Sequence, residues 1–436
     1  MKRRRLPRPS EVLPLIGTVD RSKSRLQRRL ERCASVWDVR EMAKRSTPKS
    51  VFDYTDGGSM SESSLDRSRD AYRRVEFTPR VMRNVADINL STAILGKTQA
   101  LPFIFAPTGF TRMMHHAGEP AVAAVAERAG IAYALSTLGT TSIEALATAA
   151  PNVRRWFQLY VSRDRSQAEE LMRRAKESGY DSLILTVDTA VGGIRWREVR
   201  NGLTIPPQLT LGTILDMSRH PKWWANVLTT EPLTFASLST SGGTVGDLLT
   251  RIFDPGMTPE DIKWIRDNWD GAVMVKGVQA LEDAQILADL GVDAIVLSNH
   301  GGRQIDKGNV PLELLPSVVD AVGERTQVYI DGGIMSGTDI VAALAFGATG
   351  TLVGRAYLYG LMAGGQDGVQ RVLDILSKEI KTTLQLMGAS PALINSTVQW
   401  FDCAPTEWIW ALLALECCGD PGVHGYDQAR GARELI

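Results

Sequence analysis

From about residue 101 onward, short apolar runs alternate with alanine-rich amphipathic stretches, and this rhythm limits the folds open to the chain. The runs are LPFIFA (101–106), AYALST (132–137), RWFQLY (155–160), SLILTVD (182–188), AVMVKG (272–277), AIVLSN (294–299), QVYIDG (327–332) and TLVGR (351–355). Residues 118–130, 142–149, 165–178, 259–268, 280–290 and 337–347 have helical character between them. Runs that are apolar at nearly every position suit strands buried on both faces, and strands separated by helices pair in parallel. Eight of them predict an α/β fold, a closed (β/α)8 TIM barrel. A doubly wound sheet is the rival. It would carry a glycine-rich dinucleotide loop near its first strand, and FAPTGFTRMM is not that fingerprint.

The rest of the chain is arranged around this core. Residues 1–34 read as a basic extension, and 35–48 as a short helix ended before Pro48. Residues 51–77 begin with FDYTDGGSM and continue as a polar helical stretch. The main domain spans 35–388, with the barrel core at 101–388 and an atypical tail at 389–436. One interval, 199–258, breaks the rhythm after the fourth strand. It includes IPPQLT, PKWWANVLTTEPLTFASL and STSGGTVG. An insertion there lies on the active-site face of a barrel, as a lid or partner surface, or as a packed excursion around Trp223 and Trp224.

The 436 residues have zero net charge, yet residues 1–45 hold 14 Lys or Arg against 5 Asp or Glu. Such an arm suits an anionic membrane surface or a solvated extension. Without interleaved aromatics or a recognisable module, nucleic acid is not an expected partner. Cys33, Cys403, Cys417 and Cys418 form neither a disulfide framework nor a spaced zinc site, which fits a reducing, cytoplasmic setting. No apolar run reaches the roughly 18 residues of a membrane span, and the basic start lacks the apolar core of a secretory signal.

The segment Ser298-Asn299-His300-Gly301-Gly302-Arg303-Gln304 carries the chemistry. His300 exchanges a proton near neutral pH, and Arg303 offers a charged fork that fits a carboxylate. Other polar residues fall at strand ends, where a barrel builds its site. They are Thr108, Ser136, Gln158 with Tyr160, Thr186 with Asp188, Arg195, Lys276, Asp331 and Arg355. Asp331-Gly332-Gly333 opens a helix near Gly337, and Gly354-Arg355 ends the eighth strand. Exposed amides at a helix start, with an arginine beside them, predict a phosphate-bearing ligand. Lys276 would stabilise negative charge on that ligand's ring system. No metal-ligand cluster appears, because His115 and His116 are adjacent and do not share a helix face.

FDYTDGG, APTG, LST, FQLY, LTVDT, VKG, SNHGGRQ, DGG and GR occur in that order over residues 35–388. In this the chain resembles the FMN-dependent α-hydroxy-acid oxidising family, and within it the actinobacterial-type L-lactate dehydrogenases. The resemblance implies FMN as cofactor, L-lactate or a similar 2-hydroxy acid as substrate, a quinone or other respiratory acceptor, and a homotetramer. The basic arm and the insertion would hold such an enzyme peripherally at the inner face of the cytoplasmic membrane. His300 would be the catalytic base, with Asp188 pairing with its imidazolium. Arg303 and Tyr54 would clamp the substrate carboxylate, Tyr160 would contact the hydroxyl, and Arg195 would support the anionic region. Pro107, Thr108, Gly109, Ser136, Gln158, Thr186 and Lys276 would contact the flavin. Asp331, Gly332, Gly333, Gly354 and Arg355 would hold the ribityl chain and phosphate. The alternatives are an oxygen-using oxidase or monooxygenase, and a nonenzymatic flavin-binding scaffold.

Four departures from the family pattern stand out. Met335 replaces an arginine that many members place after DGG near the phosphate, which predicts weaker FMN retention and a larger load on Arg355 and backbone amides. Leu138 stands where plant-type glycolate oxidases have tryptophan, and Gly109 where many oxidases have alanine. The resemblance fades after about Gly388, leaving a tail with three of the ten tryptophans and the apolar stretch TEWIWALLAL.

Overall fold

The computed structural model describes residues 5–12, 21–202, 211–238, 252–390, 394 and 398–400. Expectations for IPPQLT, for STSGGTVG and for TEWIWALLAL in the tail lie outside the described residues.

The eight runs form a closed parallel barrel. Its strands are β1 (Phe103–Phe105), β2 (Tyr133–Ser136), β3 (Arg155–Leu159), β4 (Ser182–Thr186), β5 (Ala272–Val278), β6 (Ala294–Leu297), β7 (Gln327–Ile330) and β8 (Gly350–Val353). Each pairs with its sequence neighbour, and β8 closes on β1 through Thr351 opposite Phe103 and Val353 opposite Phe105. The doubly wound alternative is thereby excluded.

Side chains fill the interior. Ile104, Trp156, Ile184, Met274, Val296, Tyr329 and Leu352 form one buried cluster. Burying an aliphatic side chain of this size contributes roughly 1.5–3 kcal/mol. A hairpin of Thr92–Ile94 and Lys97–Gln99 plugs the amino-terminal mouth. It inserts fully buried Ile94 and is held by Arg154, which donates to the carbonyls of Ile94 (2.6 Å) and Leu95 (3.2 Å). With that end closed, only the carboxyl-terminal end is left to open into a site.

Among the helices that precede the barrel, after the short Pro9–Val12 and Arg25–Glu31, are α1 (Val36–Ser46), α2 (Lys49–Asp56) and α3 (Ser63–Arg73). A capping box between Ser35 and Asp38 starts α1, and Gly57 ends α2 before the chain crosses the barrel mouth. The outer helices are α4 (Gly118–Ala129), α5 (Ile143–Ala149), α6 (Arg165–Glu177), α7 (Asp261–Asn268), α8 (Leu281–Asp289), α9 (Pro311–Val322), α10 (Gly337–Ala345) and α11 (Arg355–Met387). Arg355, expected to close the eighth strand, is the first residue of α11.

In the described part of the insertion, Trp223 and Trp224 are buried and meet edge to face at 4.9 Å. Trp223 Nε1 donates to the Met113 carbonyl beyond β1 (3.1 Å), so this stretch packs onto the barrel. Among the described residues no helix is long and apolar enough to cross a membrane.

Candidate active site

A cavity of about 820 Å³ opens at the carboxyl-terminal ends of the strands. All of the expected site residues line it except Asp188, Gln158 and Thr186, which stand just behind its wall. Gln158 accepts from Ser136 Oγ (2.9 Å) and donates to Thr186 Oγ1 (3.1 Å), so three adjacent strands share one hydrogen-bonded row. That row fixes Ser136 toward the cavity. Thr108 Oγ1 is held 2.6 Å from the Tyr357 hydroxyl.

The loop after β6 takes a tight left-handed course, with positive φ at His300 (57°), Gly301 and Gly302. A non-glycine residue in that region is strained and needs outside support. Ser298 Oγ supplies part of it by accepting from the His300 amide (3.0 Å). The imidazole Nδ1 lies 2.9 Å from Asp188 Oδ1. Room for that carboxylate comes from an irregularity in β5 between Lys276 and Val278. A Cβ on Gly277 would lie 2.7 Å from the Asp188 carboxyl carbon, so only glycine fits. Burial raises the Asp188 pKa, but the charge and hydrogen bond of His300, with Lys276 nearby, override it and leave the carboxyl below its usual range.

Lys276 is buried, with Nζ 3.0 Å from Asp331 Oδ2 and 2.9 Å from Ser298 Oγ. Burial disfavours its charge, yet Asp331 and Asp188 more than compensate and raise its pKa. The cation is therefore fixed. Asp331 Oδ1 is buried without a partner, an acceptor turned to no protein donor. Such an atom fits a ligand rich in hydroxyls, and the fixed cation fits an electron-accepting ring.

Arg195 and Arg303 converge on one further residue, Glu198. Arg303 Nη2 donates to Glu198 Oε1 (3.1 Å), and Arg195 Nη1 to Oε2 (3.3 Å). The Arg303 guanidinium lies over the Tyr54 ring, 4.7 Å from its centroid. Burial and the neighbouring Arg195 lower the Arg303 pKa. Burial raises that of Tyr160, with Asp188 adding to it, so its phenol stays protonated. Two guanidiniums, two phenols and an imidazole around one cavity suit a small organic anion carrying an oxidisable hydroxyl.

The two helix starts at the expected anion seat differ in how their amides are used. The first amides of α10 are used internally: Met335 N and Ser336 N donate to Asp339 Oδ2 (both 2.8 Å), and Gly337 N to Glu379 Oε2 (2.7 Å). By contrast α11 starts at Gly354 with no side-chain cap, on the cavity wall. Helix starts with unspent amides attract anions, so α11 is the better seat. The Arg355 guanidinium donates to the carbonyls of Thr55 (2.8 Å) and Gly57 (2.7 Å). Burial brings its pKa down to about 10.

Sequence reading missed Glu198 and Arg69, both on the cavity wall. Glu198 sits in the short helix Trp196–Asn201, among charged residues that look solvated. Arg69 had a readable signal. With Leu65, Ser68 and Tyr72 it follows the i, i+3, i+4, i+7 spacing of a buried helix face.

Comparison with known proteins agrees with this geometry. The family model described as FMN-dependent dehydrogenase matches residues 43–397. A putative L-lactate dehydrogenase of Mycobacterium tuberculosis is 50% identical over 387 residues, covering 89% of this chain and 94% of that one. An L-lactate dehydrogenase of Caulobacter vibrioides is 38% identical over 375 residues, 84% of this chain and 97% of that one. Among solved structures, a monotopic membrane protein, (S)-mandelate dehydrogenase, superposes with a TM-score of 0.81 at 36% identity, covering 84% of this chain and 99% of that one. A mandelate oxidase gives a TM-score of 0.74 at 36% identity, covering 84% and 98%. On the length of these matches, the chain belongs to the FMN-dependent dehydrogenase family, and its cofactor is FMN.

Proposed function

We propose that this enzyme oxidises L-lactate to pyruvate and passes the electrons to a quinone or another respiratory carrier. The observation that carries the reading is His300, paired at 2.9 Å with Asp188 behind it and sharing one cavity with the Arg195 and Arg303 guanidiniums. Similarity to proteins named L-lactate dehydrogenase supports the substrate.

The residues divide the work as follows. Arg303 and Arg195 bind the substrate carboxylate, with Tyr54 beside Arg303 shaping the clamp. Tyr160, kept protonated, donates to the substrate hydroxyl. His300 has Nδ1 engaged by Asp188, which leaves Nε2 to accept a proton from the substrate, either from carbon or from the hydroxyl. Asp188 then stabilises the imidazolium and holds the ring in place. Pro107, Thr108, Gly109, Ser136 and Lys276 line the isoalloxazine side, with Gln158 and Thr186 supporting Ser136. Asp331, Gly332, Gly333, Gly354 and Arg355 line the ribityl and phosphate side. Bound FMN supplies the two-electron acceptor for the oxidation.

Anaerobic mixing with L-lactate, glycolate, 2-hydroxybutyrate and (S)-mandelate, followed by flavin bleaching, tests the substrate. Fast bleaching with lactate is expected. Bleaching only with mandelate would replace lactate by an aromatic acid. Adding a soluble quinone or oxygen to the reduced sample tests the acceptor. Rapid oxidation by oxygen, with peroxide or acetate released, would overturn the dehydrogenase reading.

The same reading includes a homotetramer at the inner face of the cytoplasmic membrane. The tetramer rests on the family resemblance, and the membrane contact is supported by the basic arm and by the exposed Val191, Ile194, Val199, Leu215 and Leu228 on the site face and insertion. Recovery of all the protein in the soluble fraction at low salt would refute the membrane contact, and light scattering measures the oligomer.

A further inference from the structure

We propose that Arg69 is a phosphate-recognising residue of the FMN site. This rests on FMN binding in the cavity and is independent of which hydroxy acid is oxidised.

Helix α3 forms the wall at the Gly332 and Gly333 end. A Cβ on Gly333 would lie 2.3 Å from the Ser68 carbonyl oxygen, and one on Gly302 would lie 2.6 Å from the Leu65 amide. Asn299 Nδ2 donates to Ser68 Oγ (2.9 Å), which ties α3 to the loop after β6. These contacts put the next residue, Arg69, on the cavity wall with Gly332, Gly333, Met335 and Gly354.

Arg69 has hydrogen-bond donors to spare. Its Nη2 is buried and has no hydrogen-bond partner. The carboxylate near it, Asp56, is 3.9 Å away. That carboxylate is already engaged by Arg40 (2.7 and 2.8 Å), Arg197 (3.1 Å) and the Tyr359 hydroxyl (2.8 Å). The Trp37 ring, 5.4 Å from the guanidinium carbon, props the side chain in place. Nη2 is the atom turned toward Asp56, and among the described residues Nε and Nη1 donate no hydrogen bond, so a guanidinium on the cavity wall keeps donors for an anionic acceptor.

The surrounding groups leave this role open. Met335 reaches the same wall but brings no charge. The first amides of α10 are spent on Asp339 and Glu379. Arg355 already directs Nε and Nη2 at two backbone carbonyls. A phosphate monoester carries about −1.5 to −2 charges at neutral pH. The uncapped start of α11 supplies amides, and Arg69 with Arg355 supplies two positive charges to match.

The test compares FMN with riboflavin, which lacks the phosphate. Flavin-free protein is titrated with each, followed by flavin fluorescence. Arg69→Met is expected to weaken FMN binding about 10- to 100-fold, the loss of one charge-assisted contact, and to leave riboflavin binding unchanged. Arg69→Lys keeps the charge and the Trp37 contact but loses the fork, so it should fall between. It remains informative if the methionine variant does not fold. Unchanged FMN affinity in both variants would overturn the proposal. So would an equal loss for FMN and riboflavin, which would mark a packing role. Wild-type protein that binds neither flavin would overturn the cofactor assignment and this proposal with it.

Discussion

His300 Nδ1 and Asp188 Oδ1 lie 2.9 Å apart, across a gap that exists because residue 277 has no side chain. The second carboxylate oxygen, Asp188 Oδ2, is buried and has no partner. The carboxylate is therefore committed to the imidazole. Asp188→Asn preserves the shape but removes the charge that stabilises the imidazolium. Flavin reduction should slow roughly a hundredfold to ten-thousandfold, with FMN affinity nearly unchanged. Stopped-flow bleaching measures it, and reduction at the wild-type rate would refute the pairing's role.

Glu198 lies between Arg195 and Arg303, the position that a substrate carboxylate would take in the proposed clamp. Glu198→Gln keeps an acceptor for one arginine and removes the competing charge. Weakening one such ion pair by about 1 kcal/mol corresponds to roughly a fivefold change in affinity. KM for the hydroxy acid should fall by that factor, with kcat less affected. A raised KM would show that Glu198 positions the guanidiniums rather than competing for them.

What could be read from the chain beforehand follows from the physics of each element. Barrel strands such as Ala294–Leu297 and Ser182–Thr186 are buried on both faces, so their apolar runs are continuous and conspicuous. Helix α9 contains Pro311 and Pro316, which read locally as breakers, although Pro311 sits in the first turn where proline is tolerated. The plugging hairpin has strands of three residues, too short for a periodic signal. The site was legible because a barrel gathers its strand ends, which brings His300, Lys276 and Asp331 together whatever their spacing. Arg69 and Glu198 come from helices outside the strand pattern: helical spacing marks the Arg69 face as buried, but only packing places either residue on the cavity.

Asp56 is a buried junction between α1, α2, the helix Trp196–Asn201 and α11, through Arg40, Arg197 and Tyr359. Burial would raise its pKa, but hydrogen bonds from Arg40 and Tyr359 and the charges of Arg40 and Arg69 override it and hold it far below the carboxylate range. A depressed carboxyl stabilises the fold above its unfolded pKa of about 3.9, and this stabilisation is lost as pH falls below that value toward the folded one. Asp56→Asn leaves buried arginine charge uncompensated and should cost about 3–5 kcal/mol at neutral pH. It should also flatten the decline in stability below about pH 4. Denaturant melts at neutral and acid pH measure both, and an unchanged acid slope would show that Asp56 is not a main acid-sensitive group.

Gly109 packs directly against Leu138 on the cavity wall, and a Cβ there would lie 3.0 Å from Leu138 Cβ and 3.4 Å from its carbonyl oxygen. Gly109→Ala should destabilise the protein by about 1–3 kcal/mol through overpacking. Leu138→Gly removes the Cβ that the new methyl would meet, so the double variant should be more stable than the sum of the single effects predicts. Thermal melts of the four proteins give the coupling. Strict additivity would mean that the backbone relaxes away from the contact at no cost.

Met335 is buried on the cavity wall, in the turn between β7 and α10, with its amide bound to Asp339 Oδ2. Met335→Arg leaves that amide in place and adds a guanidinium at the phosphate end. The new charge would join Arg69 and Arg355 around a dianion, where one charge-assisted hydrogen bond is worth about 1.5–3 kcal/mol. Repulsion among three arginines offsets part of this, so FMN should leave about tenfold more slowly. Flavin fluorescence after dilution measures the release, with riboflavin as the control that lacks the phosphate. FMN release as fast as from the wild type would mean that the existing charges already saturate the seat, and that Met335 does not weaken retention.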